Sequence, residues 1–124
     1  MIPHVLVVDD DAAVRYTLRN VLEDAGLTVD EAEDGEVALA KLAEQSFHLV
    51  LTDLRMPKLN GLQLLRALRE YQPTRQCCFI LVTGKGDRAM IEEGKKYGLN
   101  NFLAKPFTTA TLKAAIEAVV GKLV

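Results

Sequence analysis

Cysteine is scarce in this chain, its charge is nearly balanced, and no long hydrophobic run interrupts it. The two cysteines, Cys77 and Cys78, are neighbours, a poor geometry for bonding to each other, and no second pair or nearby histidine completes a zinc set. Packing at the start of a strand is expected of them, not redox chemistry. With 15 basic against 17 acidic residues, the net charge of −2 offers no broad basic field for holding nucleic acid by its phosphates. Direct nucleic-acid binding is therefore not expected. No apolar stretch approaches the roughly 18 residues of a membrane span, and the amino terminus has neither a basic lead nor a small-residue cleavage site. The expectation is a soluble, cytoplasmic protein with no membrane partner. Internal repeats and low-complexity linkers are also missing, so residues 1–124 read as one domain, long enough to bury roughly two thirds of its unfolded surface.

What is present is a regular change of hydrophobic period. Pro3-His4-Val5-Leu6-Val7-Val8 is a β-branched apolar run that stops at Asp9, Asp10 and Asp11. From Ala12 the period becomes helical: Val14, Leu18, Val21, Leu22 and Ala25 share a stripe, Asp11 is the natural N-cap, and Gly26 is placed to end the helix. Thr28 to Ala32 reads as a second strand, and Asp34-Gly35 opens a helix with Ala38, Leu39, Leu42 and Ala43 inward. Phe47 to Leu51 is a run of apolar or β-favouring residues leading to Asp53 and closed by Pro57, the pattern of a strand buried on both faces. Asn60-Gly61 starts a third helix carrying Leu62, Leu64, Leu65 and Leu68 inward and ending near Tyr71-Gln72-Pro73. Cys77 to Val82 is a fourth strand, closing at Thr83-Gly84. The helix over Asp87 to Tyr97 is poorer, because Gly94 lies inside it and its stripe is only Ala89, Met90, Ile91 and Tyr97; it is expected to be the most mobile. A short strand, Asn101 to Ala104, precedes Lys105-Pro106, and Leu112, Ala115, Ile116, Val119, Val120 and Leu123 make the clearest helical stripe.

Strict alternation of strand and helix implies right-handed βαβ units and an α/β domain with helices on both faces of a parallel sheet. At this size the flavodoxin-like (βα)5 arrangement, strand order 2-1-3-4-5, is the natural choice. Ligands bind such sheets outside the carboxyl ends of the strands, between the first and third. Asp9 and Asp10, Asp53, Thr83 and Lys105 each end a different strand at that edge, a convergence that independent turn-capping would not require. Carboxylates gathered this closely need a cation or raised pKa values. Hard oxygen ligands favour Mg²⁺, and the backbone carbonyl of Arg55 could complete its shell. Asp53 could then act as a nucleophile toward a phosphoryl group, with Thr83 and Lys105 meeting the phosphoryl oxygens.

Val7-Val8-Asp9-Asp10, then Leu51-Thr52-Asp53-Leu54-Arg55-Met56-Pro57 followed by Gly61, then Thr83-Gly84, then Lys105-Pro106-Phe107, together resemble the receiver domain of bacterial two-component response regulators across essentially the whole chain. The resemblance implies Asp53 as phosphoacceptor, Asp10 as direct ligand of Mg²⁺ (with Mn²⁺ as a substitute), and Asp9 acting through water or as second ligand. It also implies Arg55 giving its carbonyl, Thr83 and Lys105 contacting the phosphoryl group, and a cis bond between Lys105 and Pro106. The donor would be a sensor histidine kinase or histidine phosphotransfer protein. Thr83 would move toward the phosphate, vacating space for Phe102, which reads equally as a core residue of its short strand. The altered surface would be the fourth helix, fifth strand and fifth helix, facing a downstream effector or a fused output domain, and phosphorylation-dependent homodimers are compatible with it. Arg55 and Lys85 flank the place of the attacking water in such receivers. They could shield the phosphoryl group and set its lifetime; more simply, both point into solvent.

Lys105 through Leu112 resembles single-domain chemotaxis-type receivers, whereas Leu51 through Pro57 is common in receivers fused to transcription activators. Such a protein would signal, catalysing only its own phosphorylation and dephosphorylation. His4 and His48, both on strands, are expected to pack rather than donate phosphate. The rival enzyme reading is a haloacid-dehalogenase-like phosphatase, with Asp9 as nucleophile and Asp11 as acid. Against it, Ala13 stands where Thr or Val is usual, the chain is short for a cap, and Asp53 would have no task. A flavin module is weaker still, because the carboxylates would repel a flavin phosphate.

Overall fold

The computed structural model describes residues 2–121 of the protein. Among them, strands β1 (His4–Val8), β2 (Thr28–Ala32), β3 (Leu49–Asp53), β4 (Cys78–Thr83) and β5 (Asn101–Ala104) alternate with helices α1 (Ala12–Asp24), α2 (Gly35–Glu44), α3 (Gly61–Glu70), α4 (Arg88–Lys96) and α5 (Thr109–Val120). All strand pairings are parallel, in the order β2-β1-β3-β4-β5. This is the flavodoxin-like arrangement that the sequence implies. Leu123, counted above in the last helical stripe, lies outside the described residues.

Alternation along the strands sorts their side chains into two cores, one on each face of the sheet. Leu6, Val8, Val50, Phe79 and Leu81 pack with α2 and α3, and more lightly with Met90 and Tyr97 around α4. Val5, Val7, Leu49, Leu51, Ile80 and Val82 pack with α1 and α5. The central strand β3 is buried along its whole length, Thr52 and Asp53 included.

Side chains set where most helices begin. Asp11 caps α1, accepting the Ala13 amide at 2.9 Å, and Asp34 caps α2 through the Val37 amide at 2.8 Å. Asn60 with Gln63, and Thr108 with Thr111, form reciprocal capping boxes on α3 and α5. Gly26, at φ 89°, ends α1 with Leu27 N–H donating back to the Leu22 carbonyl at 3.1 Å. Gly61 serves a different purpose. A Cβ there would lie 2.8 Å from the Asp53 carbonyl oxygen, so only glycine lets α3 start against the end of β3.

Two sequence expectations need correction. Ala43 and Ala89, assigned to inner stripes, are exposed, because each lies at the edge of an arc already filled by larger neighbours. Strand β4 runs one residue later than expected, through Thr83. Gly94 is the only fully buried residue of α4: a Cβ would stand 3.3 Å from Leu99 Cδ2, so the residue that looks like a helix weakness is where α4 approaches its neighbours most closely.

Candidate phosphoacceptor site

Strand register assembles the site. Val8 pairs with Thr52, Asp53 with Val82, and Thr83 with Ala104, so the residues that follow or end these strands meet at one edge. One carboxylate oxygen from each of Asp9, Asp10 and Asp53 lies within 4.8 Å of the others. Asp9 is 1% and Asp53 8% exposed, whereas Asp10 faces solvent. On Asp53, Oδ2 lies 3.3 Å from Lys105 Nζ, and Oδ1 accepts the Arg55 amide at 3.3 Å.

Asp9 carries the clearest sign of a cation site. Its Oδ1 accepts the Asp11 amide at 2.8 Å, but its buried Oδ2 has no hydrogen-bond partner. Burial pushes its pKa up to about 6; the Asp11 N–H and Lys105 oppose the rise, while Asp53 and Asp10 add repulsion. An orphaned buried oxygen beside two further hard oxygen donors fits a divalent ion that keeps part of its water.

Thr83 is buried at the end of β4 with its hydroxyl 3.5 Å from the Leu103 carbonyl, toward β5. The Lys105–Pro106 bond is cis, and the Lys105 amide donates to the Thr83 carbonyl at 2.7 Å, tying the two strand ends together. Phe102 is 42% exposed, which sets aside its reading as a core residue: in so short an edge strand the inward position falls to Leu103. Lys85 is exposed and makes no ion pair among the described residues. Arg55 does not simply point into solvent. Its guanidinium grips Asp87, with Nε at 3.0 Å and Nη2 at 2.5 Å from Oδ1.

Asp87 went unassigned in the sequence, where it reads only as the start of a helix. Its spacing in Thr83-Gly84-Lys85-Gly86-Asp87, on a loop with two glycines, was the available signal. Burial tends to raise its pKa, but the Gly84 N–H and the Arg55 guanidinium outweigh this and hold the carboxyl below its ordinary value.

Elsewhere the polar residues pack. Cys77 donates its thiol to the Phe47 carbonyl, and burial pushes its pKa up to about 11, leaving an unreactive thiol. His48 Nδ1 accepts the His4 amide at 2.9 Å, and the His4 ring lies 4.3 Å from that of Phe47. Asp11, the acid of the phosphatase reading, spends its carboxylate capping α1.

The family model described as "Response regulator receiver domain" matches residues 5–117. The chain belongs to that family. Among its relatives, a probable chemotaxis protein CheY of Rhizobium etli is 43% identical over 120 residues, covering 96% of this chain and 93% of that one. The transcriptional regulatory protein FixJ of Bradyrhizobium diazoefficiens is 38% identical over 117 residues, 94% of this chain but 56% of its own length. Among solved structures, CheY4 of Vibrio cholerae superposes with a TM-score of 0.90 at 31% identity, covering 97% of this chain and all of that one. The protein is thus a CheY-like receiver domain of the two-component response regulators, and the phosphatase reading finds no support. No helix among the described residues is long and apolar enough to cross a membrane.

Proposed function

We propose that this receiver takes a phosphoryl group onto Asp53 from a phosphohistidine of a sensor kinase or phosphotransfer protein. A carboxylate oxygen of Asp53 attacks phosphorus, the P–N bond to the donor imidazole breaks, and the electron pair leaves with the ring, which is reprotonated from solvent. The supporting observation is the convergence on Asp53 of a cation at 3.3 Å and of two further carboxylates with one unpartnered oxygen. Bound Mg²⁺, or Mn²⁺ in its place, would neutralise charge on the transferring phosphoryl oxygens, held by Asp9, Asp10, Asp53 and the Arg55 carbonyl. Lys105 is positioned to pair with another phosphoryl oxygen, and the Thr83 hydroxyl reaches a third once it leaves the Leu103 carbonyl. The same groups catalyse the later attack of water, the only turnover assigned to the protein.

Movement of Thr83 empties space beside β5 into which the outward Phe102 ring can turn. The surface of α4, β5 and α5 then differs between two packings separated by a few kcal/mol. That surface is the proposed contact for an effector or a fused output domain, the kinase partner placing the reaction in the cytoplasm. Arg55 and Lys85 set the phosphoryl lifetime by shielding phosphorus from water; an unchanged autodephosphorylation rate in a double variant, R55A with K85A, would remove that assignment.

The decisive experiment is labelling with phosphoramidate or acetyl phosphate and Mg²⁺, followed by mapping of the modified aspartate. Asp53→Asn is expected to abolish uptake. Normal uptake in that variant, or label on Asp9, would overturn the proposal.

A further inference from the structure

Asp87 immediately precedes α4, where an aspartate ordinarily caps the helix with its own carboxylate. Here it makes no such bond. The side chain turns away from its helix: Oδ2 accepts the Gly84 amide at 2.7 Å, and Oδ1 accepts both Arg55 nitrogens. Asp87 is 2% exposed, while the side chain of Arg55 remains 64% exposed, so the carboxylate is the fixed partner and the guanidinium the one free to leave. Each end of this bridge joins the loop on one side of Asp53. Arg55 lies two residues past Asp53 and gives it a backbone N–H; Gly84 directly follows Thr83. Asp87 is also close enough to Lys105 to feel its charge.

We propose that Asp87 is a positioning residue for the phosphoryl site: it holds the Arg55 guanidinium at the start of α4 in the unphosphorylated receiver and competes for it with a phosphoryl group on Asp53, releasing part of the population when Thr83, carrying Gly84, moves toward that group. The inference rests on Asp53 being the phosphoacceptor. The released guanidinium then turns to the phosphoryl oxygens, to which it is chemically matched, and shields phosphorus from water. At the same moment the amino-terminal end of α4 loses its ionic tie to the β3–α3 loop. The arrival of charge at Asp53 is thereby passed to α4 by a route that does not involve Phe102.

The test compares the unaltered protein with Asp87→Asn, Arg55→Ala and the double variant, each loaded with phosphoramidate and Mg²⁺ and followed by intact mass after the donor is removed. Asparagine keeps an acceptor for Gly84 but drops the charge on Arg55. In Asp87→Asn the acyl phosphate should outlive that of the unaltered protein about threefold to tenfold, and in the Arg55→Ala background the same substitution should change nothing. A readout that needs no variant is the Arg55 Nε–H resonance of the unaltered protein, expected to move on loading as its acceptor changes from the Asp87 carboxylate to a phosphoryl oxygen. Equal lifetimes with and without Asp87→Asn, the same change in both backgrounds, or an Arg55 Nε–H resonance unmoved by loading would each overturn the inference. No label on Asp53 in the unaltered protein would instead refute the phosphoacceptor reading.

Discussion

Helices α3 and α4 lie on the same face of the sheet and are nearly equal in length, yet they are attached in opposite ways. Five residues of α3 are buried, and a reciprocal capping box closes its first turn. Only Gly94 is buried in α4, and the aspartate before its first turn makes no cap bond. Arg69, in the last turn of α3, donates to the carbonyls of Tyr97 and Gly98, holding the far end of α4. The near end is held through Asp87 and Arg55 to the site itself. One helix is thus part of the frame that fixes Asp53, and the other is pinned at its far end and tied by charge at the end that matters. The difference fits the proposed switch: α3 is held by hydrophobic burial, and the start of α4 is held to the site by a polar contact.

The largest effect expected from this contrast is in the core. Leu65→Ala in α3 should lower unfolding free energy by about 3 kcal/mol, while Ile91→Ala in α4 should cost under about 1 kcal/mol, because Leu65 is fully buried and Ile91 is not. Urea denaturation of the two variants measures both. Equal losses would mean that α4 is as firmly packed as α3.

A second comparison separates the rigid edge from its charge. The native pKa of Asp9, about 6, lies above its ordinary 3.8, so between those values the native state binds more protons than the unfolded chain. Stability from this group is full below about pH 4 and falls as pH rises to about 6. Asp9→Asn removes that fall, so without metal its advantage should grow from near zero at pH 4 to about 2 kcal/mol at pH 7, then level off. Thermal or urea unfolding across this range in EDTA provides the check; an advantage constant with pH would show that Asp9 does not carry the strain. Millimolar Mg²⁺ should shrink or reverse the advantage, since only the unaltered protein keeps the full donor set.

Much of this was legible in the sequence because it depends on local pattern. The apolar runs ending at Asp9, Asp53 and Thr83 are strands whatever surrounds them, and parallel order alone brings their ends together with Lys105. The stripe of α3 and the Asn60-Gly61 pair declare that helix in the same way. Asp87 was illegible because its partner Arg55 lies 32 residues earlier and meets it only through the turn of two loops. Its natural local reading, a cap, is the bond it forgoes. Phe102 misled for a related reason. Propensity makes an aromatic in a short strand look buried, whereas packing against neighbours from distant parts of the chain decides it.

Removing the α3 cap tests the frame more gently. Asn60→Ala frees the Gln63 amide and should cost about 1 kcal/mol in urea denaturation, with a small rise in hydrogen exchange at the start of α3. An unchanged stability would mean that Gly61 packing alone positions the helix.

The glycines of α3 and α4 give the finest test, since one substitution probes both attachments. In Gly61→Ala the new methyl meets the Asp53 carbonyl and Leu54 Cα, backbone that cannot swing aside, so α3 must back away from β3 at a cost of about 2 kcal/mol. In Gly94→Ala the nearest atom is Leu99 Cδ2, the end of a half-buried, flexible side chain. The small push on Leu99 is offset by the roughly 1 kcal/mol that alanine gains over glycine inside a helix, leaving stability within about 0.5 kcal/mol of the original. Phosphorylation by acetyl phosphate should survive Gly94→Ala and fall in Gly61→Ala, where the end of β3 is disturbed. If Gly94→Ala proved as costly as Gly61→Ala, the close approach at Gly94 would be a rigid contact, and α4 would belong to the frame after all.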